Sequence, residues 1–516
     1  MNSYKFFFTF FFSFNILIGS YSQFIYTIDA AIKHQTIANF GASDCWTAQF
    51  VGLWPDEKRH AMADLLFSMD TDAAGKPKGI GLSLWRFNIG GGSAAQGANS
   101  YIPSDWRRAE CFQNIDGTYD WTKQAGQRWF LQAAKSRGVE QFLGFTNSPP
   151  VQMTMNGLAN NRFRPSDGTF NIKPDKMKAF AEFLATVVDE IAKRDGIKFQ
   201  YLAPINEPEW NWSGNTTQEG TPALMSEIAQ TVRLLDEQLK QRQLDTKILV
   251  TESGRYDYMY KSNTDLPGRD NQVETFFNTT SENYIGNLNH VPPIIVGHSY
   301  GSVSIQTLLD KRQELRKALD RQNLGFWQTE LCVLGNDPDI GSGSGKDLTM
   351  KTALYIARVI HYDLCVANAS AWQWWLAITN VDYKDGLIYV TVDDDKKNGT
   401  FTDSKLLWAL GNFSRFIRPG AVRIGVESKT DVNDPKGLMV SSYIHEKDKQ
   451  LITVIVNYSD EKKVIDLKTQ NVKIKEFIPY ITSDKQGDDL APQAKVKYGS
   501  KISIPGKSVL TLVAAL

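Results

Sequence analysis

Two stretches hold residues whose types suit paired-carboxylate chemistry. "APINEPEWNW", residues 203–212, sets Asn206 beside Glu207 between prolines, directly after an apolar run. Far along the chain, "FWQTE" ends on Glu330. Proline discourages both helix interior and central strand, so Glu207 sits where an element stops. Glycoside cleavage needs two carboxyls with opposite duties. One protonates the leaving oxygen, and the other attacks the anomeric carbon or activates water. An Asn beside the acid can hydrogen-bond a sugar hydroxyl, a bond that strengthens as oxocarbenium character develops. Either glutamate alone reads as an ordinary strand-end carboxylate in a salt bridge. On one face, they read as a pair.

Other chemistries find less support. The chain has no G-x-S-x-G nucleophile motif and no HExxH. "NIGGGSAAQGA" lacks the G-x-G-x-x-G and following acid of a dinucleotide site. "DDDKKNG", residues 393–399, misses the spacing of a calcium loop and reads as a hairpin tip. No metal and no cofactor is expected. Lys plus Arg and Asp plus Glu number 57 each, so no net field favours nucleic acid or an anionic membrane. Aromatic residues make up 12% with 13 Trp, which suits flat sugar rings as well as a large core.

The elements that position these residues alternate. Phe180, Phe183, Leu184, Val187, Val188 and Ile191 fall at helical spacing, with Asp175 as a start and Gly196 as a stop. "FQYLAPI" follows as a β-run. A second helical pattern from Leu224 to Leu239 precedes "KILVTES". That alternation predicts a parallel sheet with helices outside. The β-runs are "IANFGASD", "LSLWRFNIGG", "QFLGFTNSPP", "QYLAPINEP", "KILVTES", "PIIVGHSY", "FWQTE" and "SAWQWW". Eight is the number that closes a (β/α)8 barrel. Each run ends in something chemically capable: Asp44, Arg86 with Asn88, Asn147, Asn206 with Glu207, Glu252, His298 with Tyr300, Glu330, and Trp374 with Trp375. In such barrels the C-terminal strand ends form the active face.

After about residue 408 short alternating strands follow without helices, which predicts an antiparallel β-sandwich. The fold class expected is therefore α/β, a (β/α)8 TIM barrel with an attached C-terminal antiparallel β-sandwich. The barrel is placed at 36–407 and the sandwich at 408–516, with 23–35 adding to it. The sandwich lacks an obvious exposed aromatic row and reads as structural. Residues 1–22 have the layout of a signal peptide, with one Lys and an apolar run from Phe6 to Ile18 too short to span a bilayer comfortably. The expected location is secreted or periplasmic, with no membrane span in the mature protein. No pattern fixes an oligomeric state. Cys45, Cys111, Cys332 and Cys365 fit no zinc spacing and predict at most one disulfide, with Cys332 a buried thiol.

The ordered motifs resemble glycoside hydrolase family 30, in the clan of retaining (β/α)8 enzymes. "PINEP" and "WQTE" match its two catalytic motifs, and "LWRFNIGGG", "NSPPVQMTMNG", "GHSY", "WQWW" and "NFSRFIRPGAVRI" match others, in order from about residue 36 past 420. "DGTYDWTKQAGQRWFLQAAKSRGV" followed by "TNSPPVQMTMNG" is most similar to the endo-β-1,6-galactanase-like branch. The resemblance implies Glu207 as acid/base, Glu330 as nucleophile, retention of configuration and no metal. Arg86 is then the expected positive partner of Glu330, Tyr300 its orienting hydroxyl, and Asn206 a contact to the sugar at the cleavage point. His298 is divided between sugar contact and a satisfied rim residue. Adjacent strand residues face opposite ways, so of Trp374 and Trp375 the latter is taken as sugar-facing. Trp46, Trp210 and Trp212 are candidate subsite walls, and Asp44 and Asn147 candidate sugar contacts. Glu252 reads as structural.

The function implied is retaining hydrolysis of a β-linked oligo- or polysaccharide, foremost internal cutting of β-1,6-galactan. Two readings stay open beside it. One is another specificity of the family: β-1,6-glucanase, xylanase or exo-β-glycosidase. The other is a catalytically inactive carbohydrate-binding barrel.

Overall fold

The computed structural model describes residues 24–516; the expected signal peptide, residues 1–22, lies outside them. Among the described residues, no helix is long and apolar enough to cross a membrane.

The β-rich runs form strands, and their continuous apolar character fits burial on both faces of a parallel sheet. After β1 (Phe24–Thr36) come β2 (Asn39–Ser43), β3 (Leu84–Asn88), β4 (Gln141–Phe145) and β5 (Tyr201–Ala203). Next are β6 (Lys247–Ile248), β7 (Thr251–Ser253), β8 (Ile294–His298), β9 (Gly325–Glu330) and β10 (Ala371–Thr379). Their hydrogen-bonded order is β6-β5-β4-β3-β2-β10-β9-β8-β7, all parallel. The two ends, β6 and β7, belong to one run, "KILVTES". Leu249 donates its N–H to Leu202 on one side, and Val250 accepts from Val296 on the other. That run closes the ring, so eight runs make a (β/α)8 barrel.

The helix Met177–Asp195 buries Phe180, Phe183, Leu184, Val187, Val188 and Ile191 against the ring, each contributing about 1.5–3 kcal/mol. Gly196 ends it in the left-handed region, at φ 65°. Asp175 does not cap its start. It lies inside a 3-10 turn, Pro174–Lys176, that precedes the helix and moves the first helical turn two residues on. The helix Met225–Gln241 does have a charged start, since Glu227 accepts the N–H of Leu224 at 2.8 Å.

Past β10 the chain adds a hairpin, β11 (Gly386–Val392) and β12 (Gly399–Asp403), with β11 parallel to β10 and off the ring. The stretch 393–398 is its tip. A second sheet contains β1, β13 (Val422–Ser428), β14 (Leu438–His445), β15 (Gln450–Asn457), β16 (Lys463–Gln470), β17 (Glu476–Ser483) and the last strand Ser508–Ala515. It is mostly antiparallel. The exception is β1 against β16, which run parallel because β1 enters from the other end of the chain and is joined to its neighbours by no hairpin.

The barrel and this sheet share packing. One continuous apolar core runs from Phe40, Trp85 and Phe145 to Tyr443, Ile452, Val456 and Val509. Between them the helix Lys405–Ser414 points Asn412 at the second sheet, donating to Tyr480 O at 3.2 Å and Thr511 Oγ1 at 3.0 Å. Arg415, just beyond it, donates to the carbonyls of Ser68 and Gly79 on the barrel side. All four cysteines are free thiols, so the fold holds without a disulfide.

Candidate active site

The C-terminal ends of the barrel strands surround a cavity of about 650 Å3. Glu207, Trp210, Tyr300, Glu330 and Trp375 line it. The loop after β5 delivers Glu207 in a strained conformation, with φ at 45°, and Glu252 on β7 is strained likewise at 51°. The N–H of Glu207 donates to the carbonyl of Glu252 at 2.9 Å, and the indole N–H of Trp212 donates to the Glu207 carbonyl at 3.0 Å. Glu209, two residues on, serves the loop itself. Its carboxylate accepts from Ser253 Oγ at 2.6 Å and the Gly254 N–H at 3.1 Å.

Glu330 ends β9 between two donors. Arg86 Nη1 meets Oε2 at 2.7 Å, and the Tyr300 hydroxyl donates to Oε1 at 3.0 Å. Arg86 Nη2 also donates to Asn206 Oδ1 at 3.1 Å, fixing the amide next to Glu207. His298 bridges two carboxylates: its Nδ1 lies 2.9 Å from Glu207 Oε1 and its Nε2 lies 3.0 Å from Glu252 Oε2. One oxygen of Glu207 and one of Glu330 stand within 4.8 Å of each other. A retaining pair is spaced about 5–5.5 Å, whereas an inverting pair needs about 6.5–9.5 Å for a water.

The electrostatics separate these groups. Burial pushes Glu207 up to about 7, opposed by His298 and assisted by the charge of Glu330. Burial also works against charge on His298, but Glu330, Glu207 and Glu252 outweigh it and raise the imidazole to about 10. For Glu252 burial raises, while Arg86 and His298 outweigh it and hold the carboxyl at about 2. The site can therefore hold one protonated carboxyl beside one anionic network. Among the described residues, Glu207, His298 and Glu330 are the trio whose ligand atoms lie close enough for a cation. The imidazole faces a carboxylate from each nitrogen and is protonated, so it presents no lone pair to a metal.

The expected contacts divide by depth. Trp375 lines the cavity, while Trp374 is fully buried and donates to Asp385 O at 2.8 Å. Trp46 packs edge-on against Trp375 at 5.3 Å, with its indole N–H unpartnered. Asn147 is buried with both amide atoms unpartnered. Asp44 is a correction. It lies below the cavity, its oxygens taken by the Asn88 N–H at 2.9 Å and Gln127 Nε2 at 3.0 Å, with burial pushing its carboxyl to about 7. It braces the gap between β2 and β3 and offers no free acceptor to a sugar.

Two lining residues were not singled out from the sequence. Asp385 stands at the root of the β11 hairpin, 4% exposed, with Oδ1 unpartnered, and burial raises it to about 6. Arg107 reaches the same cavity and lies 5.1 Å over the Trp46 ring. Both lie in loops without periodicity. The one available signal was an acid directly before a strand that follows the "WQWW" run.

A family model described as O-Glycosyl hydrolase family 30 matches residues 23–389. The chain is 24% identical over 416 residues to an endo-beta-1,6-galactanase from Hypocrea rufa, covering 76% of this chain and 74% of that protein. A solved structure of a conserved exported protein from Bacteroides fragilis shares 34% identity with a TM-score of 0.88, covering 95% of this chain and all of that one. The catalytic domain of a xylanase C from Talaromyces cellulolyticus shares the fold at 20% identity and a TM-score of 0.68, over 95% of this chain and 100% of that one.

Proposed function

The chain belongs to glycoside hydrolase family 30, and on that premise we propose that it cleaves a β-linked polysaccharide with retention, cutting β-1,6-galactan internally. The observation that carries the mechanism is the approach of the Glu207 and Glu330 carboxyls within 4.8 Å, which leaves no room for an inverting water. In the first step Glu330 attacks the anomeric carbon as the glycosidic bond breaks, and Glu207 gives its proton to the departing oxygen. In the second, water attacks the same carbon, Glu207 takes its proton, and the bond to Glu330 breaks.

The residues support these duties. Burial leaves Glu207 protonated below about pH 7, as an acid must be before the first step. Arg86 and Tyr300 hold the Glu330 oxygens in place for attack. Trp375 and Trp210 offer flat apolar surface to sugar faces. The galactan specificity rests on the likeness to the galactanase from Hypocrea rufa and on the segment ending "TNSPPVQMTMNG". Export belongs to the same proposal, supported by the apolar run Phe6–Ile18.

A panel of β-1,6-galactan, β-1,6-glucan and xylan tests the substrate, with product lengths separating internal from terminal cleavage. NMR of the first product's anomeric proton tests retention. An inverted first product overturns double displacement, and a short product from chain ends alone overturns internal cutting.

A further inference from the structure

Glu252 touches no part of the cavity, yet it contacts both cations that serve the catalytic pair. Its Oε2 accepts from His298 Nε2 at 3.0 Å and from the Thr329 hydroxyl at 2.6 Å, and lies 3.2 Å from Arg86 Nη2. Its Oε1 is unpartnered. Arg86 in turn holds Glu330, and His298 holds Glu207.

Counting charges gives this carboxylate a task. With His298 and Arg86 cationic and Glu252 anionic, the frame behind the pair carries one net positive charge. Before the first step Glu330 is anionic and Glu207 neutral. After it, Glu330 is esterified and Glu207 anionic. The frame thus meets a single negative charge in both states, while that charge passes from one glutamate to the other. Without Glu252 the frame would carry two positive charges, or His298 would lose its proton.

We propose that Glu252 is a positioning residue that fixes the charge of the Arg86–His298 frame at one, and so matches it to both halves of the reaction. This rests on the double-displacement reading above. The groups facing the network are Arg86 and Cys45 from β3 and the segment after β2, Glu207 and Glu209 from the loop after β5, His298 and Tyr300 from β8 and just beyond, and Glu330 and Cys332 from β9 and just beyond.

The experiment compares Glu252→Gln and Glu252→Asp with the natural enzyme. In Glu252→Gln, His298 loses its anionic acceptor beside an unmatched Arg86 and gives up its proton near neutral pH. Glu207 then lacks a cationic neighbour, so the basic limb of kcat/KM moves up by about one pH unit. On the order of a 10- to 100-fold loss falls on kcat, with KM within about 3-fold. Glu252→Asp keeps the charge and leaves the limb in place. A limb unmoved in Glu252→Gln, or a loss carried by KM, overturns the proposal and leaves a structural brace. NMR of 15N-labelled histidine reads the frame directly and needs no substrate. His298 protonated at pH 8 in the natural enzyme is expected, and a neutral imidazole there overturns the proposal even where Glu252→Gln fails to fold. Failure of retention is read separately, from the anomeric product.

Discussion

Arg86 on β3 meets Glu330 on β9 at 2.7 Å, with β2 and β10 standing between their strands in the ring. Closure of the barrel, not nearness in sequence, brings these charges together. Both are buried, and removing one partner of a buried pair costs about 3–5 kcal/mol because the other charge is left uncompensated.

Glu330→Gln is expected to lower kcat by on the order of 10^4-fold or more, since no nucleophile remains. Glu330→Ala should lose the same activity and also melt earlier than Glu330→Gln, because Arg86 loses its partner's oxygen atoms altogether. Hydrolysis assays with thermal melts measure both. Turnover surviving in Glu330→Gln would remove Glu330 from the nucleophile's role.

The acid limb of the reaction belongs to Glu207. With its carboxyl near 7, kcat/KM should fall about tenfold per pH unit above that value, as the proton it must donate is lost. Glu207→Gln should abolish that limb. It should also spare an aryl glycoside with a good leaving group, which needs little protonation, far more than the polysaccharide. Equal losses on both substrates would contradict proton donation by Glu207.

Asp385 presents an unpartnered oxygen at the cavity wall. A hydrogen bond to a charged acceptor contributes about 1.5–3 kcal/mol, so Asp385→Asn should raise KM roughly 10- to 100-fold with kcat little changed. Its carboxyl is raised to about 6, so the sign is fixed: below that pH the acid is protonated, one acceptor is lost, and KM in the natural enzyme climbs. Substrate titrations between pH 5 and 8 show it, and a flat KM across that range speaks against a sugar contact.

Gly254 lies where a Cβ would come 2.6 Å from the Trp210 indole nitrogen and 3.4 Å from Glu207 Oε1. Gly254→Ala should therefore push Trp210 outward and lower kcat/KM several-fold while changing stability little, since the Trp210 side chain is 39% exposed and free to move. Tryptophan fluorescence and kinetics on the same samples separate displacement from unfolding.

The ring was legible because each β-run ended in polar chemistry and the runs alternated with helical periodicity; "KILVTES" and "PIIVGHSY" needed nothing more. The parallel pairing of β1 with β16 was not, because pairing partners from opposite chain ends leave no local trace. Glu207 and Glu330 could be paired from their motifs. The place of Glu252 could not, since its partners Arg86, His298 and Thr329 come from three other strands. Asp44 showed the opposite failure. Its strand-end position looked like a sugar contact, but Gln127 from a neighbouring helix takes its free oxygen.

The apolar core that passes from Phe145 to Val509 has a consequence for how this enzyme comes apart. Two sheets sharing one core have no interface along which to separate, so the second sheet is no detachable cargo. Denaturation should proceed as a single cooperative event, and a chain cut before Val422 should expose Leu407, Leu410 and Phe413 to water and fail to hold its catalytic ring. Heredity of the two parts is then joint: a lineage can reshape the loops at the cavity rim freely, but it cannot trade the accessory sheet without rebuilding the barrel's underside.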